Sequence, residues 1–587
     1  LTGIVACILA SCVKAPTSSE PLLSKQADFC NLINIKNTPA GAVDWDAYVF
    51  ADKGAWMAYS LPDNENRRHA GAFMGPMVMT GRGWIAAGLA EPTLWVNGEQ
   101  YRMVYNVQTT RYLPGKLIQE YNDENLNFTT ELCYLTSRSV AIRSIVKNMS
   151  QKPVKVSFDW NGGVYEPTSV VSSIDKGLSF IRPKDSTNTV IRFLTADKIQ
   201  AVGSDSLHVT EKSEMTLEPG KTYQSEMTQT LTLRGEDTAK ELAAIATLNI
   251  DNCFELNEQQ WNAQIASLLS GNSKYLKDNK YRKVLVKAMM TLNSNYRTPA
   301  GDILHGGSNP SYNGFINGIW SWDSWKIASG NVHFNEEIAK SEMITLFDYQ
   351  ADNGMVPDFI SYNKKYNNWR DAKPPVAAWG AMNVYKATGD KKFLETMFDK
   401  LYKFHQWWYA ERDHNHNGIC EYGSTDGTLI AACWESGMDN GVRFDDAVMQ
   451  KNSEKAWSMN QENICLNSFL YVDKTILAEM ATLLNKPELA AQLNAEAKVI
   501  KEFVQTKMWD KETGFFYDTR IDTGEHIKVM GAECWLPLWA GIATPEQAKQ
   551  VMQKMMDPQK FNSTLPLGTL DISHPRLRPV RGYWRGP

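Results

Sequence analysis

Two acidic side chains near the middle of the chain have the type and setting that glycosidic chemistry requires. Residues 433–440 read CWESGMDN, so Glu435 and Asp439 stand four positions apart around Gly437. On a helix this spacing would place both carboxylates on one face, but the glycine favours a loop that aims a single carboxyl into a cavity. Glycoside hydrolysis needs one carboxylic acid to protonate the leaving oxygen and a second carboxylate to activate water or to attack the sugar. The segment is a candidate acid-bearing loop, and an ordinary structural loop is the alternative.

A second candidate segment places three indoles around one carboxylate. Residues 318–325 read GIWSWDSW, with Asp323 directly after Trp322. A carboxylate between aromatic rings can accept hydrogen bonds from sugar hydroxyls while the rings cover the apolar face of the sugar. The alternative is a buried aspartate that caps a helix beginning near Ser324.

A third segment contains two cations ahead of a predicted helix. Residues 369–375 read WRDAKPP, and Pro375 suits the first turn of a helix. Arg370 and Lys373 then belong to a loop at the N-terminal end of that helix. There they could hold substrate oxygens, although a plain surface loop fits the same residues.

A fourth segment has the spacing of a calcium-binding loop. Residues 413–421 read DHNHNGICE, with Gly418 at position 6. Calcium collects hard oxygen ligands at such spacing. The predicted ligands are the side chains of Asp413, Asn415, Asn417 and Glu421 and the carbonyl of Ile419.

This loop differs from an EF-hand at one position. Position 12 is Ser424 and not a glutamate, so at least one further ligand must come from elsewhere. His414 and His416 alternate with the predicted ligands and should point away. An Asn/Gly turn without a metal is the alternative.

The composition limits the class of protein. The chain has 587 residues, of which 43% are hydrophobic and 22% charged, with a formal net charge of -5. These values are typical of folded domains and argue against disorder and against a nucleic-acid partner. The 19 tryptophans could stack on sugar rings or could simply fill a core.

The N-terminal residues resemble a bacterial lipoprotein signal. Residues 1–12 read LTGIVACILASC, which is too short an apolar run to span a bilayer. Residues 9–12 resemble a lipobox, so we expect Cys12 to be acylated, with residues 1–24 forming a signal remnant and linker in a protein of the bacterial periplasm or outer membrane. A hydrophobic, frayed N-terminus is the alternative. The other cysteines show no CxxC spacing, which argues against a zinc site or a disulfide framework.

The patterning predicts a multidomain protein. Residues 25–240 read as an N-terminal antiparallel β-sandwich, in which residues 140–146 and 154–158 form a hairpin. A helical linker over residues 241–275 leads to an all-α region over residues 276–587. Its predicted helices include residues 375–387, 392–410, 467–484 and 487–508, and a helix whose apolar face is Val284, Leu285, Ala288, Met289 and Leu292. An α-solenoid and a closed toroid both fit, and the lack of a fixed repeat favours the toroid.

Five segments together resemble a known family. WSWDSW, WRDAKPP, DHNHNGICEYG, WESGMDN and YWRGP occur in this order, and they are similar to signature segments of glycoside hydrolase family 63, the processing α-glucosidases, in particular its bacterial members. The resemblance covers residues 311–587. It implies a β-sandwich followed by an (α/α)6 barrel and an inverting hydrolase that releases a terminal α-linked glucose from an oligosaccharide.

The resemblance also implies roles for particular residues. Asp439 corresponds to the general acid, and calcium-binding members hold their ion at a loop like residues 413–421. The family's general base is a glutamate C-terminal to YWRGP, so the sequence ending at Pro587 is expected to be truncated and its barrel incomplete. The expected substrate-pocket residues are Trp322, Asp323, Lys373, Glu435, Trp584 and Arg585.

Three functions therefore stay open. The first is an exported α-glycosidase acting as a monomer with structural Ca²⁺, and the second is a trehalase-like hydrolase, because ESG-x-D and YWRGP are also similar to trehalase segments. The third is a lipid-anchored carbohydrate-binding protein in which the same residues grip a glycan without cutting it. One carboxylate cannot do the work of two, so a base-bearing segment after Pro587 would discriminate between hydrolysis and binding alone.

Overall fold

The computed structural model describes residues 21–44, 48–63, 69–81, 83–104, 110–166, 170–311 and 314–586. Cys12 lies outside these residues. The N-terminal part consists of antiparallel strands. They are β1 Met57–Ser60, β2 Met74–Val78, β3 Gly83–Trp84, β4 Glu91–Val96, β5 Glu99–Gln100, β6 Thr110–Leu113, β7 Lys116–Asn122, β8 Leu126–Tyr134, β9 Ser139–Asn148, β10 Val154–Gly163, β11 Val170–Ile174, β12 Gly177–Ile181, β13 Asn188–Phe193, β14 Lys198–Val202, β15 Ser206–Leu217 and β16 Thr222–Thr232.

The strands form two large sheets and one small sheet. The eight-stranded sheet has the order β11-β12-β13-β16-β9-β8-β7-β6, the five-stranded sheet β14-β15-β10-β4-β5, and the small sheet β1-β2-β3. Strand β10 alternates buried and outward residues from Val154 to Trp160, as a strand with one covered face must. Its Phe158 meets Phe128 of β8 with ring centroids 6.1 Å apart, so the two large sheets pack face to face.

The predicted hairpin of residues 140–146 and 154–158 is wrong. Both segments are strands, but β9 pairs with β8 and β16 whereas β10 pairs with β4 and β15. The chain crosses between sheets after Asn148, whose side-chain amide donates to the carbonyls of Lys152 and Leu217, both at 2.8 Å. The alternating pattern identifies each strand but carries no information about its partner.

Helices dominate the rest of the described chain. They are α1 Thr238–Ile245, α2 Ile250–Leu268, α3 Asn279–Asn295, α4 Ser321–Asn331, α5 Glu336–Ile344, α6 Ala377–Thr388, α7 Lys391–Glu411, α8 Leu429–Glu435, α9 Ile464–Leu483, α10 Pro487–Thr506, α11 Leu536–Trp539 and α12 Pro545–Met555. Short strands lie in the connections: β17 Tyr296–Arg297, β18 Gly307–Ser308, β19 Ile319–Trp320, β20 Phe359–Ile360, β21 Gly423–Ser424, β22 Met449–Ser453, β23 Ala456–Met459, β24 Gln461–Glu462, β25 Trp509–Asp510, β26 Phe515–Phe516, β27 Asp518–Arg520 and β28 His526–Ile527. A β-rich N-terminal part followed by a helical region is thereby confirmed.

Two connecting helices lie against the sheets. Phe254 of α2 is buried with Cys133 and Ala141, and the guanidinium of Arg143 lies 4.3 Å from the Phe254 ring centroid. The helical region contacts the β-rich part directly as well, because the Trp56 indole donates to the carbonyl of Thr298 at 2.9 Å.

The helices of the second part form an inner and an outer layer. Helix α4 packs against α5 and α6, α6 also packs against α7 and α9, and α9 packs against α10. The inner helices α6 and α9 are buried over most of their circumference. The outer helix α10 buries one stripe, formed by Ala490, Leu493, Ala497, Ile500 and Val504, as an amphipathic helix does.

Helix α3 turns a different face inward from the predicted one. Val286, Met289 and Met290 are buried, whereas Val284 is 58% exposed. The apolar residues of α3 cover more than one face, so spacing alone did not identify the buried one.

The described tryptophans occupy two kinds of position. Eight described tryptophans are buried in the core: Trp56, Trp84, Trp160, Trp261, Trp325, Trp407, Trp408 and Trp509. Three others line the cavity described below. No described helix is long and apolar enough to cross a membrane.

Candidate active site

Four of the five signature segments contribute to one cavity or to its walls. The cavity has a volume of about 350 Å³. Its lining residues are Pro310, Phe315, Trp320, Trp322, Asp323, Lys326, Lys373, Gly437, Asp439, Tyr583 and Trp584. Residues as far as 274 positions apart in sequence, Pro310 and Trp584, therefore meet at one site.

Helix α4 supplies the first wall. It begins at Ser321, so Asp323 lies in its first turn and does not cap it. Loss of solvent raises the pKa of Asp323, against the opposing charges of Lys326 and Lys373. The Trp320 ring packs on Phe359 with centroids 4.8 Å apart, which fixes its orientation at the cavity.

A buried carboxyl supports α4 from behind. Glu342 of α5 accepts hydrogen bonds from the Ser308 backbone at 3.0 Å and from the hydroxyl of Ser324 at 2.6 Å. Glu342 is completely buried, and burial raises its pKa to about 7. The hydrogen bond to Ser324 anchors the turn of α4 that carries Asp323.

The buried Lys373 brings one ammonium group to the cavity. Its Nζ lies 3.0 Å from Asp358 Oδ1 and 3.5 Å from Asp371 Oδ2 and also donates to the carbonyl of Trp434. These carboxylates raise the pKa of Lys373, so the group is cationic and held rigidly. The other cation of this segment, Arg370, instead donates to Asp426 at 2.6 Å.

The loop with Asp439 is joined to the C-terminal signature segment. Helix α8 ends at Glu435 and the chain turns at Gly437, where φ is +68°, as the glycine predicts. The Asn440 side chain accepts from the backbone of Trp584 at 3.0 Å and donates to the carbonyl of Gly582 at 3.0 Å. This exchange holds Trp584 beside Asp439 at the cavity.

Asp439 is poised to hold a proton. Removal from water raises its pKa, and the charge of Asp358 acts in the same direction. Lys373 and a hydrogen bond from Tyr583 oppose the shift. A carboxyl with a raised pKa that faces an aromatic cavity has the properties of a general acid.

Two residues expected in the pocket lie behind it. Glu435 is fully buried, accepts from Arg412 at 2.8 and 2.9 Å and from the backbone of Gly423 at 2.6 Å, and does not line the cavity. Arg585 donates to Asp445 at 2.5 Å and to the carbonyl of Asn440 at 2.6 Å. Neither side chain lines the cavity, and the hydrogen bonds of both connect them to other parts of the protein.

The structure adds two cavity residues that the sequence analysis missed. Lys326 lies one turn after Trp322, and its Nζ is 3.5 Å from the centroid of that indole. Tyr583 hydrogen-bonds to Asp439. The i to i+4 spacing of Trp322 and Lys326 on α4 was the available signal for Lys326, and the position of Tyr583 in the YWRGP segment was the signal for Tyr583.

The loop of residues 413–421 gathers oxygens but is largely satisfied by the protein. Asp413 accepts from the backbones of Asn417 at 3.0 Å and Gly418 at 2.9 Å. Glu421 Oε2 accepts from the backbone of His414 at 2.9 Å, whereas its Oε1 is buried without a hydrogen-bond partner. The side chain of His414 turns away toward Asn452, at 2.6 Å.

Glu462 is a further carboxylate at this loop. Its Oε1 accepts from the Asn417 amide at 2.8 Å, and its charge is among the causes that raise the pKa of Glu421, after burial. Within the described ranges, no three His, Cys, Asp or Glu side chains converge as a metal centre. The side-chain and carbonyl oxygens of this loop are suitable ligands for a hard cation, and Oε1 of Glu421 has no hydrogen-bond partner among the described residues. Hydrogen bonds within the loop occupy the oxygens of Asp413 and the other oxygen of Glu421.

Comparisons with known proteins place these features in a family. Residues 317–587 match the mannosylglycerate hydrolase MGH1-like glycoside hydrolase domain, and residues 42–173 match the N-terminal domain of glucosidase YgjK. Mannosylglycerate hydrolase of Rubrobacter radiotolerans is 26% identical over 46% of this chain and 75% of that protein. Glucosylglycerate hydrolase of Mycolicibacterium hassiacum is 27% identical over 46% of this chain and 76% of that protein.

A solved structure of the family 63 mannosylglycerate hydrolase from Thermus thermophilus in complex with Tris is 22% identical, with a TM-score of 0.42, over 52% of this chain and 83% of that chain. The two family matches fall in the β-rich part and in the helical part, in the order that the family resemblance implies. The resemblance is therefore confirmed, and residues 317–587 form an MGH1-like glycoside hydrolase domain.

Proposed function

We propose that the chain is an inverting, exo-acting α-glycosidase that releases a terminal α-linked glucose from an oligosaccharide. The observation that carries the proposal is the position of Asp439, whose carboxyl faces a cavity with three indoles and a fixed ammonium group. A volume of about 350 Å³ suits a terminal sugar unit better than the middle of a long chain. The layered helices are in keeping with an (α/α)6 barrel that opens at this cavity.

Asp439 acts as the general acid in this proposal. Burial raises the pKa of Asp439 and so favours the protonated carboxyl, which can give a proton to the leaving glycosidic oxygen. Lys373 and Asp323 lie at the same cavity and hold sugar hydroxyls, while the Trp322 and Trp584 rings cover the apolar face of the sugar.

Inversion needs a second carboxylate on the opposite face of the sugar. Asp323 also lines the cavity, but the family resemblance assigns the base to a glutamate C-terminal to YWRGP. We keep that assignment and give Asp323 a binding role. The base should lie about 6.5 to 9.5 Å from Asp439, with room for the attacking water.

We also propose one structural Ca²⁺ at the loop that precedes the acid segment. Asp413, Asn415, Asn417, Glu421 and the carbonyl of Ile419 would hold it, and the unpartnered Oε1 of Glu421 supports this assignment. Glu462 is the candidate for the ligand that the loop lacks at position 12. The ion would stabilise the connection from α7 to α8.

We further propose that Cys12 is acylated and holds the enzyme at the periplasmic side of a bacterial membrane. The support is the lipobox-like sequence of residues 9–12 alone.

Product stereochemistry tests the proposed reaction. A protein that carries the proposed base C-terminal to YWRGP would be incubated with maltose, trehalose, glucosylglycerate and mannosylglycerate, and the anomer released first would be followed by NMR. We expect β-glucose from an α-glucoside. First release of α-glucose would refute inversion, hydrolysis of trehalose alone would support the trehalase-like alternative, and preference for mannosylglycerate would replace glucose as the terminal sugar.

A further inference from the structure

A second cavity lies on the outer side of the helical region. It has a volume of about 540 Å³ and is bounded by α7, α9, α10 and the loop of residues 413–421. Residues that matter to its chemistry are Tyr402, His405, Tyr409, Lys474, Gln492 and Glu496. It shares no lining residue with the cavity at Asp439, so it is a separate site.

The wall of this cavity contains a buried acceptor without a partner. His405 is 2% exposed, and its Nδ1 lies 2.6 Å from Oδ2 of the buried Asp473. A carboxylate only accepts hydrogen bonds, so Nδ1 holds the proton and Nε2 presents a lone pair. Nε2 has no hydrogen-bond partner among the residues that the structure describes. Burial also lowers the pKa of His405, which keeps the ring neutral although Asp473 opposes the shift.

A second orphaned polar atom lies close to the first. The hydroxyl of Tyr409 is buried and has no hydrogen-bond partner within the described part of the chain, and the Tyr409 ring lies 5.2 Å from the His405 ring, centroid to centroid. The ammonium of Lys474 lies 4.0 Å from the Tyr409 ring centroid and is paired with Glu496. Buried polar groups are normally hydrogen-bonded, so two neighbouring exceptions on one cavity wall indicate a missing partner.

The charges on this cavity wall indicate which class of ligand could supply the missing hydrogen-bond partner. Lys474 is already neutralised by Glu496, and the Asp473 carboxylate stands behind His405. An anion would meet two carboxylates and a neutral acceptor, so binding of an anion is disfavoured. A hydroxyl group can donate to Nε2 of His405 and accept from the hydroxyl of Tyr409 at the same time.

Neutral sugars combine such hydroxyls with an apolar ring face. Tyr402 and Tyr409 offer aromatic surface, and the exposed Gln492 offers both a donor and an acceptor at the rim. A volume of about 540 Å³ lies in the range of small-ligand sites. We infer that this outer cavity is a second binding site for a neutral mono- or disaccharide, distinct from the cavity at Asp439.

Tyr409→Phe is the most informative variant. It removes only the hydroxyl, and because that group has no partner in the protein, the melting temperature should stay unchanged or rise. Binding of D-glucose, D-mannose and trehalose would be measured by calorimetry and by saturation-transfer NMR in the Trp322→Ala background, which removes one of the indoles that line the other cavity. We expect about tenfold weaker binding on loss of one hydrogen bond.

Two further variants on α10 provide a matched pair. Gln492 lines the cavity, whereas Asn494 is exposed and does not. Gln492→Ala should weaken sugar binding and Asn494→Ala should not. The inference would be overturned if none of the three sugars bound in the Trp322→Ala background, if Tyr409→Phe and Gln492→Ala bound them as tightly as their parent, or if D-glycerate bound more tightly than every sugar. None of these results bears on Asp439.

Discussion

The indole of Trp322 lies directly against Gly437. A Cβ atom at position 437 would fall 2.3 Å from Cζ2 of that ring, and the φ of +68° also disfavours any side chain there. Helix α4 carries Trp322 and the acid loop carries Gly437, two residues before Asp439. The contact therefore fixes the distance between the aromatic wall and the proposed acid.

Gly437→Ala should displace the acid loop. We expect kcat/KM to fall at least tenfold and the protein to lose about 1 to 3 kcal/mol of stability from strain and steric clash. Gly389→Ala is the matched control, because φ is also +68° there but no atom lies within 4 Å of the added Cβ. Equal activity of the two variants would show that the contact with Trp322 does not position Asp439.

Glu342 should make stability depend on pH. Its pKa is about 7 in the folded protein and about 4.3 when unfolded, so the folded state binds more protons between these values. Stability conferred by the protonated carboxyl is present in full below about pH 4.3 and is lost as the pH rises from there through 7, by about 4 kcal/mol in all.

Urea unfolding from pH 4 to 8 measures this effect. Glu342→Gln should flatten the profile, because the amide cannot ionise. Glu395→Gln, at an exposed position of α7, should leave it unchanged. A wild-type stability that does not fall between pH 5 and 8, or a Glu342→Gln profile as steep as the wild type, would contradict the expectation.

Calcium should raise the melting temperature. Binding to the folded loop alone stabilises it by about 2.7 kcal/mol at a hundredfold excess over Kd. Glu421→Gln should abolish the shift, and Asp522→Asn, at an exposed position outside the loop, should preserve it. Purified protein that contains no calcium and melts at the same temperature with and without it would remove the proposal.

Cys12→Ala should release the protein from the membrane. In detergent phase partitioning, the unmutated protein should enter the detergent phase and the variant the aqueous phase. Cys7→Ala is the control, because position 7 precedes the acylated residue and should not affect anchoring. Aqueous partitioning of the unmutated protein would count against acylation.

The positions of the long helices could be predicted from the sequence. Predicted residues 375–387, 392–410 and 487–508 correspond closely to α6, α7 and α10, because their apolar periodicity is strong and Gly389 and Pro487 mark their ends. The pairing of β10 could not be predicted, since it depends on β4 and β15, which are distant in sequence.

The site was only partly predictable for the same reason. Asp439, Asp323 and Lys373 line one cavity, as their residue types and the family resemblance imply. The family resemblance implies that Glu435 is a substrate-pocket residue. Its carboxylate instead pairs with Arg412, which is 23 positions away, and no local sequence pattern reveals that pair. A charged residue in a signature segment can therefore stabilise the loop that carries a neighbouring cavity residue without lining the cavity itself.

The dependence of rate on the leaving group tests the role of Asp439 most directly. Asp439→Asn keeps the shape of the side chain but removes the proton donor. Rates would be compared for maltose, whose leaving group needs a proton, and for 2,4-dinitrophenyl α-glucoside, whose leaving group does not. We expect Asp439→Asn to slow maltose hydrolysis about 10² to 10⁴-fold and to retain most activity on the activated glucoside. An equal loss on both substrates, or wild-type activity on maltose, would contradict the assignment of Asp439 as the general acid.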